Sequence, residues 1–455
     1  MNNIEKLDKK NLLRTVAIVA GPIALQSLIA SSLNLIDNLM IGGMGELALN
    51  AVGVSIQMFF IYWMFMFGFI SGGATYLAQF FGVKDYANIK RTAGFTITVC
   101  MGMGILFFIA AEAFPEYVLR IFTKYPEVIE AGVPYLRYGA PCFLINAVSQ
   151  SLIVGLRATQ QTSLPLKASV VALCTNTVLN YGLIYGKLGL PCMEIRGAAL
   201  ATVFSRIVEF AIIIYFIWGK GNVLKGSFKE YFSFSKDLAL RITKTALPTT
   251  INETMWGIGT SMYIAAFARV SISAGAAVQA CNTVNNIFSM AAFSIGDAIL
   301  ILVGQKLGEG KLDIAYDMAK FLVKLGVIIG AVLGGCCMML SKPILGLFDF
   351  TEEGARDAWC ILMVYAATLW IEVLNATLVT GALRCGGDTR FAMLIEVGCV
   401  WIIGVPVAFI TSLVLHWPIF IAVLCVKGEA AIESIILILR FISKKWLNNL
   451  VSEIS

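Results

Sequence analysis

The second half of this chain repeats the first at a nearly constant offset. The shift that places Pro22 on Pro248 also places Gln79 on Gln305 and Gly82 on Gly308. A shift one position longer places segment 156–162 on segment 383–389, so that Arg157 falls on Arg384. An internal repeat constrains the architecture more than any local motif does. The sequence therefore predicts two lobes of similar fold.

The composition indicates that each repeat spans a membrane several times. Hydrophobic residues make up 58% of the 455 residues, charged residues make up 14%, and the mean hydropathy is +0.82. A soluble domain has about 25% charged residues, and a spanning helix needs about 20 mostly apolar residues. Each repeat holds six candidate spans, which is typical of transporters. The predicted spans are 13–41, 51–81, 91–113, 133–157, 164–185, 197–218, 240–269, 275–305, 317–340, 358–383, 390–413 and 417–442.

Lys and Arg residues in the connecting segments predict the orientation. The segments on one side carry more than three times as many of them as the segments on the other side. Because cytoplasmic loops carry the excess of positive charge, we expect both termini in the cytoplasm and the protein in the cell (inner) membrane. The predicted parts are a cytoplasmic N-terminal segment (1–12), an N-lobe (13–218), a cytoplasmic linker (219–240), a C-lobe (241–443) and a cytoplasmic tail (444–455).

The sequence shows no pattern for enzyme chemistry. The 11 Cys residues have no metal-ligand spacing, the single His416 stands beside a Trp-Pro pair, and neither a P-loop nor a Gly-x-Ser-x-Gly motif occurs. We therefore predict no catalytic residue, no metal site and no enzyme. The net charge of +6 follows from the cytoplasmic basic residues, so we expect no nucleic-acid partner.

Asp37 is the strongest candidate for a cation-coupling residue. An ionisable group at the bilayer centre costs about 2.5–3.5 kcal/mol on insertion scales, so an acid within a span is a functional candidate. Helical periodicity places Gln26 within about 20° of Asp37, and Asn34 about 60° away. An acid with amide neighbours can bind a proton or a cation. The alternative is a hydrated, structural carboxylate at the external end of the span.

Two acids of the second half are predicted as further cation-coupling residues. Glu253 has Asn252 beside it and Thr260 two turns further along the predicted helix, and Glu372 precedes Asn375 by three residues. An oxygen-rich site in the C-lobe is therefore possible. The alternative is that these acids only hold neighbouring helices together by hydrogen bonds.

Four other acids are weaker candidates for function: Asp297, Glu396, Glu429 and Glu433. Glu429 and Glu433 are one helical turn apart and Lys427 is close in sequence, which favours partial neutralisation within one helix. Arg206 and Glu209 are expected to pair in the same way.

Amide side chains predict a lining for a cavity. Gln279, Asn282, Asn286 and Ser289 recur at helical spacing, and because lipid cannot satisfy amides this stripe must face protein or water. Cavity lining and contact between helices remain equally open. The full set of predicted cavity residues is Gln26, Asn34, Gln57, Asn176, Asn180, Asn252, Trp256, Gln279, Asn282 and Asn286.

Five segments resemble the MATE (multidrug and toxic compound extrusion) transporter family. They are 21–23, 34–42, 72–82, 196–202 and 381–389. Each motif is short, but their order, spacing and doubling extend over residues 12–443. The resemblance implies an all-α membrane protein with twelve transmembrane helices in two pseudo-symmetric six-helix lobes. It also implies antiport, in which a proton or sodium ion enters as an organic compound leaves.

The resemblance also implies roles for individual residues. An acid in the first helix couples transport in the family, and Asp37 matches it. Some proton-coupled members carry a second acid in the fifth helix, where this chain has Asn180. Other members use acids in the seventh and tenth helices, and Glu253 and Glu372 lie near those positions.

The leading hypothesis is a multidrug efflux antiporter that exports cationic or neutral amphipathic compounds in exchange for protons or sodium. We favour protons acting at Asp37, with Glu253 and Glu372 modulating, and expect no other cofactor. The alternative is a lipid-linked saccharide flippase of the same wider superfamily, whose cavity would need several cations for pyrophosphate. The expected partners are drug-like small molecules and the lipid bilayer, and we expect a monomer.

Overall fold

The structure is a computed structural model that describes residues 9–219, 221–346, 348 and 352–452. Within these ranges, the side chains of a few residues are outside the description: Lys9, Asn34, Leu35, Asn38, Leu39, Glu46, Ala268, Ile272 and Glu353. The described chain is helical and contains no strand. This agrees with the all-α class predicted from the sequence.

Helices of the first half are α1 (Lys9–Gly42), α2 (Glu46–Gly82), α3 (Tyr86–Ala113), α4 (Pro115–Arg120), α5 (Pro126–Gly139), α6 (Pro141–Ala158), α7 (Ser163–Tyr185), α8 (Glu194–Gly219) and α9 (Phe228–Phe232). Helices of the second half are α10 (Lys236–Ala268), α11 (Ile272–Gly308), α12 (Leu312–Leu345), α13 (Glu352–Ala376), α14 (Thr389–Gly398), α15 (Val405–Phe409) and α16 (Ile419–Ile442). Three π-helical segments interrupt the later helices: Thr377–Leu383, Cys399–Gly404 and Ile410–Val414.

The helix ends follow from local chemistry. The side chain of Asp85 precedes α3 and accepts the Asn88 backbone N–H at 3.0 Å, and Ser271 accepts the Ala274 N–H at 3.0 Å before α11. Such caps satisfy backbone donors that have no partner within the helix. Gly186 ends α7 in the left-handed region, with φ of +65°.

Ten helical segments in the described residues are long and apolar enough to span a membrane. The other two predicted spans correspond to α10, which is less apolar, and α16, which carries more charged residues. α16 carries Lys427, Glu429 and Glu433, and α10 carries Glu253. The predicted fourth span is not one helix, because it divides at Ala140 into α5 and α6. Pro141 lacks the N–H that would continue a helix.

The chain divides into two compact units. The first unit comprises residues 25–77 and 84–243, and the second comprises residues 1–24, 78–83 and 244–455. In the first unit, Ile41, Val52, Tyr135, Ile184 and Ala198 form a core shared by α1, α2, α5, α7 and α8.

The core of the second unit lies where α10, α11, α13 and α16 pack together. Its members include Phe267, Cys281, Ile361, Tyr365 and Val423. The side chains of Cys281 and Ile361 are completely buried. These four helices carry most of the acids that were predicted for the second half, and the packing of the core fixes where those acids lie.

The C-terminal ends of α2 and α11 cross in backbone contact within the second unit. A Cβ added at Gly82 would lie 2.1 Å from the carbonyl oxygen of Gln305, and one added at Gly308 would lie 2.1 Å from that of Gln79. These four residues are two of the identical pairs that the internal repeat aligns. Only glycine permits an approach this close.

Residues 444–452 pack against this crossing. The Leu450 N–H donates to Gln79 Oε1 at 2.8 Å, and Gln79 Nε2 donates to the carbonyl oxygens of Cys385 at 2.8 Å and Asn448 at 3.2 Å. The indole ring of Trp446 is completely buried. The segment after α16 is therefore a packed part of the second unit.

Candidate functional site

Asp37 lies near the end of α1 and is half-buried in the first unit. Its Oδ1 accepts a 2.5 Å hydrogen bond from Asn180 Nδ2 on α7. Asn180 Nδ2 also donates to Asn176 Oδ1 at 3.0 Å, and Asn176 donates to Thr202 on α8 at 3.4 Å. Both asparagines are completely buried, and the Oδ1 atom of Asn180 has no hydrogen-bond partner. The structure therefore brings three predicted residues together around one carboxylate.

Gln26 belongs to a different network of the first unit. It accepts a hydrogen bond from Arg157 at 2.7 Å and donates to Ser169 at 2.9 Å. The Ser169 hydroxyl donates to Glu209 at 2.8 Å, and Arg206 pairs with the other carboxylate oxygen of Glu209, also at 2.8 Å. The predicted pair of Arg206 and Glu209 is therefore present. The predicted contact between Gln26 and Asp37 is not, although they share α1.

Glu253 forms an ion pair with Arg384 in the second unit. The distance between Glu253 Oε1 and Arg384 Nη2 is 2.7 Å, and the two side chains are 12% and 2% exposed, respectively. Counting basic residues along the sequence places Arg384 in a cytoplasmic loop. The structure shows that this guanidinium is not an exposed loop charge, because it follows a π-helical segment and is buried against an acid.

The two networks are built from equivalent positions of the repeat. Arg157 contacts Gln26, and Arg384 contacts Glu253, and each pair is separated by 131 residues in sequence. The shift that places Arg157 on Arg384 also places Gln26 on Glu253, Ser169 on Glu396, and Arg206 on Glu433. At the last three positions a neutral or basic residue of the first unit thus corresponds to an acid in the second. The second copy of the duplicated framework is therefore more acidic than the first.

Three further acids of the second unit are each held by a specific donor. Asn252 donates to Glu396 at 2.6 Å, and Asn375 donates to Glu433 at 3.0 Å. Tyr263 donates to Glu429 at 3.4 Å. The second oxygen of Glu433 and the Oδ1 atom of Asn252 are buried without a hydrogen-bond partner. The weaker candidates Glu396, Glu429 and Glu433 are therefore more tightly enclosed by protein than the sequence suggested.

Two predicted pairs of an amide and an acid are not formed, because each amide binds a different acid. Asn252 was expected beside Glu253 but binds Glu396, and Asn375 was expected beside Glu372 but binds Glu433. Neighbouring residues on a helix point about 100° apart, which separates Asn252 from Glu253. Residues three apart share a face, so Asn375 lies on the same side of α13 as Glu372, but its amide reaches Glu433 of α16 instead. The Thr260 hydroxyl donates to the Gly257 carbonyl oxygen of its own helix at 3.0 Å.

Glu372 is paired with Lys427. The Lys427 ammonium contacts Glu372 Oε1 and lies 4.7 Å from the centre of the Tyr365 ring. Asn285 donates to the other oxygen of Glu372 at 3.5 Å. The prediction that Lys427 neutralises Glu429 and Glu433 is wrong in its partner, because the ammonium contacts an acid on α13.

The amide of α11 that contacts an acid is Asn285, one residue away from the predicted Asn286. Gln279 and Asn286 are exposed, Asn282 is half-buried, and Asn285 is the amide that reaches an acid. Ser289, one turn after Asn285, is buried with an unpaired hydroxyl. Spacing by three and four residues from Asn282 through Asn285 to Ser289 was the signal that could have identified this face.

The remaining candidates lie apart from these networks. Gln57 is exposed and lines an open cavity of about 420 Å³ with Asn50 and Phe122. Trp256 is 37% exposed, and Asp297 is half-buried on α11. The side chain of Asn34 is outside the described residues. Among the residues that the structure describes, no group of three or more His, Cys, Asp and Glu could hold a metal ion.

Known proteins share the sequence pattern over nearly the whole chain. The chain is 26% identical over 420 residues to a probable multidrug resistance protein YoeA of Bacillus subtilis, in a match that covers 90% of this chain and 89% of the relative. It is 24% identical over 448 residues to a probable multidrug resistance protein NorM of Thermotoga maritima, covering 96% and 93%.

Solved structures share the fold. An outward-facing multidrug resistance MATE family transporter of the MOP superfamily has a TM-score of 0.85 at 18% identity, covering 96% of this chain and 98% of that one. A MOP superfamily transporter from Pyrococcus furiosus has a TM-score of 0.84 at 17% identity, covering 95% and 96%. These matches show the predicted fold of twelve transmembrane helices in two six-helix lobes.

The family assignment rests on a family pattern that matches the chain twice, once in each half of the internal repeat. The MatE family pattern matches residues 22–182 and again residues 248–410. The two matched segments begin at Pro22 and Pro248, a pair that the internal repeat aligns. They cover most of the described spans, and MatE proteins are transporters rather than enzymes. This multi-pass membrane protein belongs to the MatE family.

Proposed function

We propose that this protein is a secondary active multidrug exporter. It exchanges cationic or neutral amphipathic organic compounds for a coupling cation. The names of the similar proteins, several of which are called multidrug resistance proteins, support the substrate class. Buried acids and amides in both units support a cationic or neutral cargo, because buried polar groups require a partner of opposite character.

We propose protons as the coupling ion and Asp37 as the residue that carries them. The supporting observation is a difference among the three candidate acids. Glu253 and Glu372 each contact a basic side chain, whereas the contact of Asp37 within the described residues is an amide, Asn180. An acid with an ion-pair partner already has its charge compensated. Asp37 is therefore the acid whose burial becomes most favourable when it binds a proton.

Sodium is the second candidate, and a specific observation favours it. Glu433 Oε1 and Asn252 Oδ1 are buried oxygen atoms without a donor, and sodium binds several oxygen ligands. In this alternative the acids of the second unit couple transport, and Asp37 has a lesser role. In our leading proposal, by contrast, Glu253 and Glu372 modulate the proton cycle and Asp37 carries the proton.

Dye efflux from proteoliposomes tests the assignment. A pH gradient without sodium should drive efflux of a fluorescent cationic dye, and Asp37→Asn should abolish it while leaving insertion unchanged. Glu253→Gln should reduce the rate without abolishing coupling. If a sodium gradient alone drives efflux at clamped pH, and Glu253→Gln stops it whereas Asp37→Asn does not, the proton assignment is wrong.

The buried cations favour an exporter over a lipid-linked saccharide flippase. A flippase would need free cations for pyrophosphate, but the guanidinium groups of Arg206 and Arg384 are already paired with Glu209 and Glu253. Reconstituted protein should therefore not translocate a lipid-linked saccharide. Rapid translocation of such a lipid would favour the flippase instead.

We propose an inner-membrane location with both termini and the linker in the cytoplasm. The excess of Lys and Arg on that side supports this orientation. In a variant whose native cysteines are replaced, a Cys introduced at Ser227 should resist membrane-impermeant reagents in intact cells and react after lysis. Strong labelling in intact cells would contradict the orientation.

A further inference from the structure

Helix α9 is held in one orientation by its buried face. Tyr231 is 4% exposed, its hydroxyl donates to the Leu224 carbonyl oxygen, and its ring stacks on Trp218 with 6.1 Å between centroids. A Cβ added at Gly94 of α3 would lie 1.9 Å from the Tyr231 carbonyl oxygen. The α3 backbone therefore packs directly against α9, and the helix cannot rotate without breaking these contacts.

The first turn of α9 is closed and tied to α3. The Ser227 N–H donates to Glu230 Oε2 at 2.6 Å, and the two residues form a capping box. Lys90 of α3 pairs with Glu230 Oε1 at 3.0 Å. The acid of α9 is therefore already compensated.

Two phenylalanine rings of α9 are exposed. Phe228 and Phe232 are one turn apart, their ring centroids are 4.2 Å from each other, and they are 78% and 38% exposed. Phe228 is the most exposed of the described phenylalanines. An apolar pair held outward by a fixed helix needs an apolar environment that the described chain does not provide.

Three lysines lie close to these rings in the sequence. Lys225, Lys229 and Lys236 are exposed, and the structure shows no ion pair for them among the residues it describes. The nearby acid Asp237 is paired with Arg241 at 2.9 Å. The surface therefore combines two outward-facing apolar rings with three free ammonium groups.

We propose that this surface, formed by Phe228, Phe232, Lys225, Lys229 and Lys236 and here called the α9 surface, binds anionic phospholipid. The segment joins the spanning helix α8, which ends at Gly219, to α10, which begins at Lys236, so it lies at a membrane boundary. The rings enter the region between headgroups and acyl chains, and the ammonium groups contact lipid phosphates. Aromatic residues beside lysines are the composition of interfacial segments.

Photocrosslinking at Phe228 tests the proposal locally. Full-length protein with p-benzoylphenylalanine in place of Phe228 is placed in nanodiscs of equal phosphatidylglycerol and phosphatidylcholine, and adducts are identified by mass spectrometry. Each lysine near an anionic surface contributes about a fivefold preference. We therefore expect phosphatidylglycerol adducts to exceed phosphatidylcholine adducts by about threefold or more, and 1 M salt to reduce this ratio because it screens charges beyond about 3 Å.

The variant K225Q/K229Q/K236Q should bring the adduct ratio close to one. The matched control places the same crosslinker at Phe114, a phenylalanine that is 55% exposed at the other end of α3. Its adduct ratio should not respond to the three substitutions. Absence of lipid adducts at position 228, crosslinks to a second protein molecule, or equal labelling of both lipids in the protein with all three lysines would each overturn the proposal.

Discussion

Removal of Arg384 should destabilise the protein more than neutralisation of its partner. Arg384 is 2% exposed and Glu253 is 12% exposed, so Arg384→Met leaves a buried carboxylate without its cation. Breaking a buried pair from one side costs about 3–5 kcal/mol. Glu253→Gln instead reproduces the Arg157–Gln26 contact of the first unit, and we expect it to cost about 1.5–3 kcal/mol, the value of a hydrogen bond to a charged group.

The double variant separates this reasoning from a simple loss of packing. In Glu253→Gln/Arg384→Met the buried charge is gone, so the double variant should be more stable than Arg384→Met alone. The free energy of unfolding is measured by titration with sodium dodecyl sulfate in mixed micelles. Arg390→Met, at an exposed arginine slightly further along the chain, is the matched control and should change stability by less than about 0.5 kcal/mol. A double variant less stable than Arg384→Met would refute the argument.

Two other predictions concern contacts outside the acid networks. Gly82→Ala should destabilise by about 1–3 kcal/mol in a thermal unfolding assay, since its Cβ meets a backbone carbonyl. Gly102→Ala, inside α3 where nothing lies within 4 Å, should leave stability unchanged or raise it by up to about 1 kcal/mol. Hydrogen bonds from the Ser227 N–H and from Lys90 lower the pKa of Glu230 below its ordinary value of 4.5. The ionised carboxylate therefore stabilises the first turn of α9 fully above pH 4.5, and this stabilisation is lost as the pH falls through the lowered pKa. The protection of residues 227–231 against hydrogen exchange should therefore decrease below pH 4.5 in the wild type and should not change with pH in Glu230→Gln. Identical pH profiles for the two proteins would contradict this role of Glu230.

The fold could be predicted from the sequence because its signals are long. Twelve apolar stretches and a repeat that extends over most of the chain depend on many positions each, so a misjudged residue changes little. The division at Ala140 and the π-helical segments were not predicted. They depend on single positions such as Pro141 and on helix packing that sequence periodicity does not report.

The site was predicted in its residue types and only partly in its contacts. Asp37, Asn176 and Asn180 were all candidates, and the structure joins them. Arg384 was missed because charge counting treats every arginine near a predicted helix end as exposed. The repeat itself held the missing information, since the shift that aligns Arg157 with Arg384 also aligns Gln26 with Glu253.

The partners of Asn252 and Asn375 could not be predicted for a geometric reason. Each amide binds an acid from a distant part of the chain, 144 and 58 residues away. Periodicity places a side chain on a helix face but does not say which helix that face meets. Sequence neighbours were therefore chosen as partners where the structure uses neighbours in space.

The packed C-terminal segment has a consequence for how the protein is made. Gln79 is completely buried, and residues 448 and 450, which supply two of its hydrogen bonds, follow it by 369 and 371 residues. While the chain is being synthesised, the buried amide at the end of α2 therefore lacks these partners until residues 448 and 450 have been made. The second unit therefore reaches its final packing only after residue 450 has left the ribosome, and a chain cut before Trp446 leaves the buried amide of Gln79 without these hydrogen bonds.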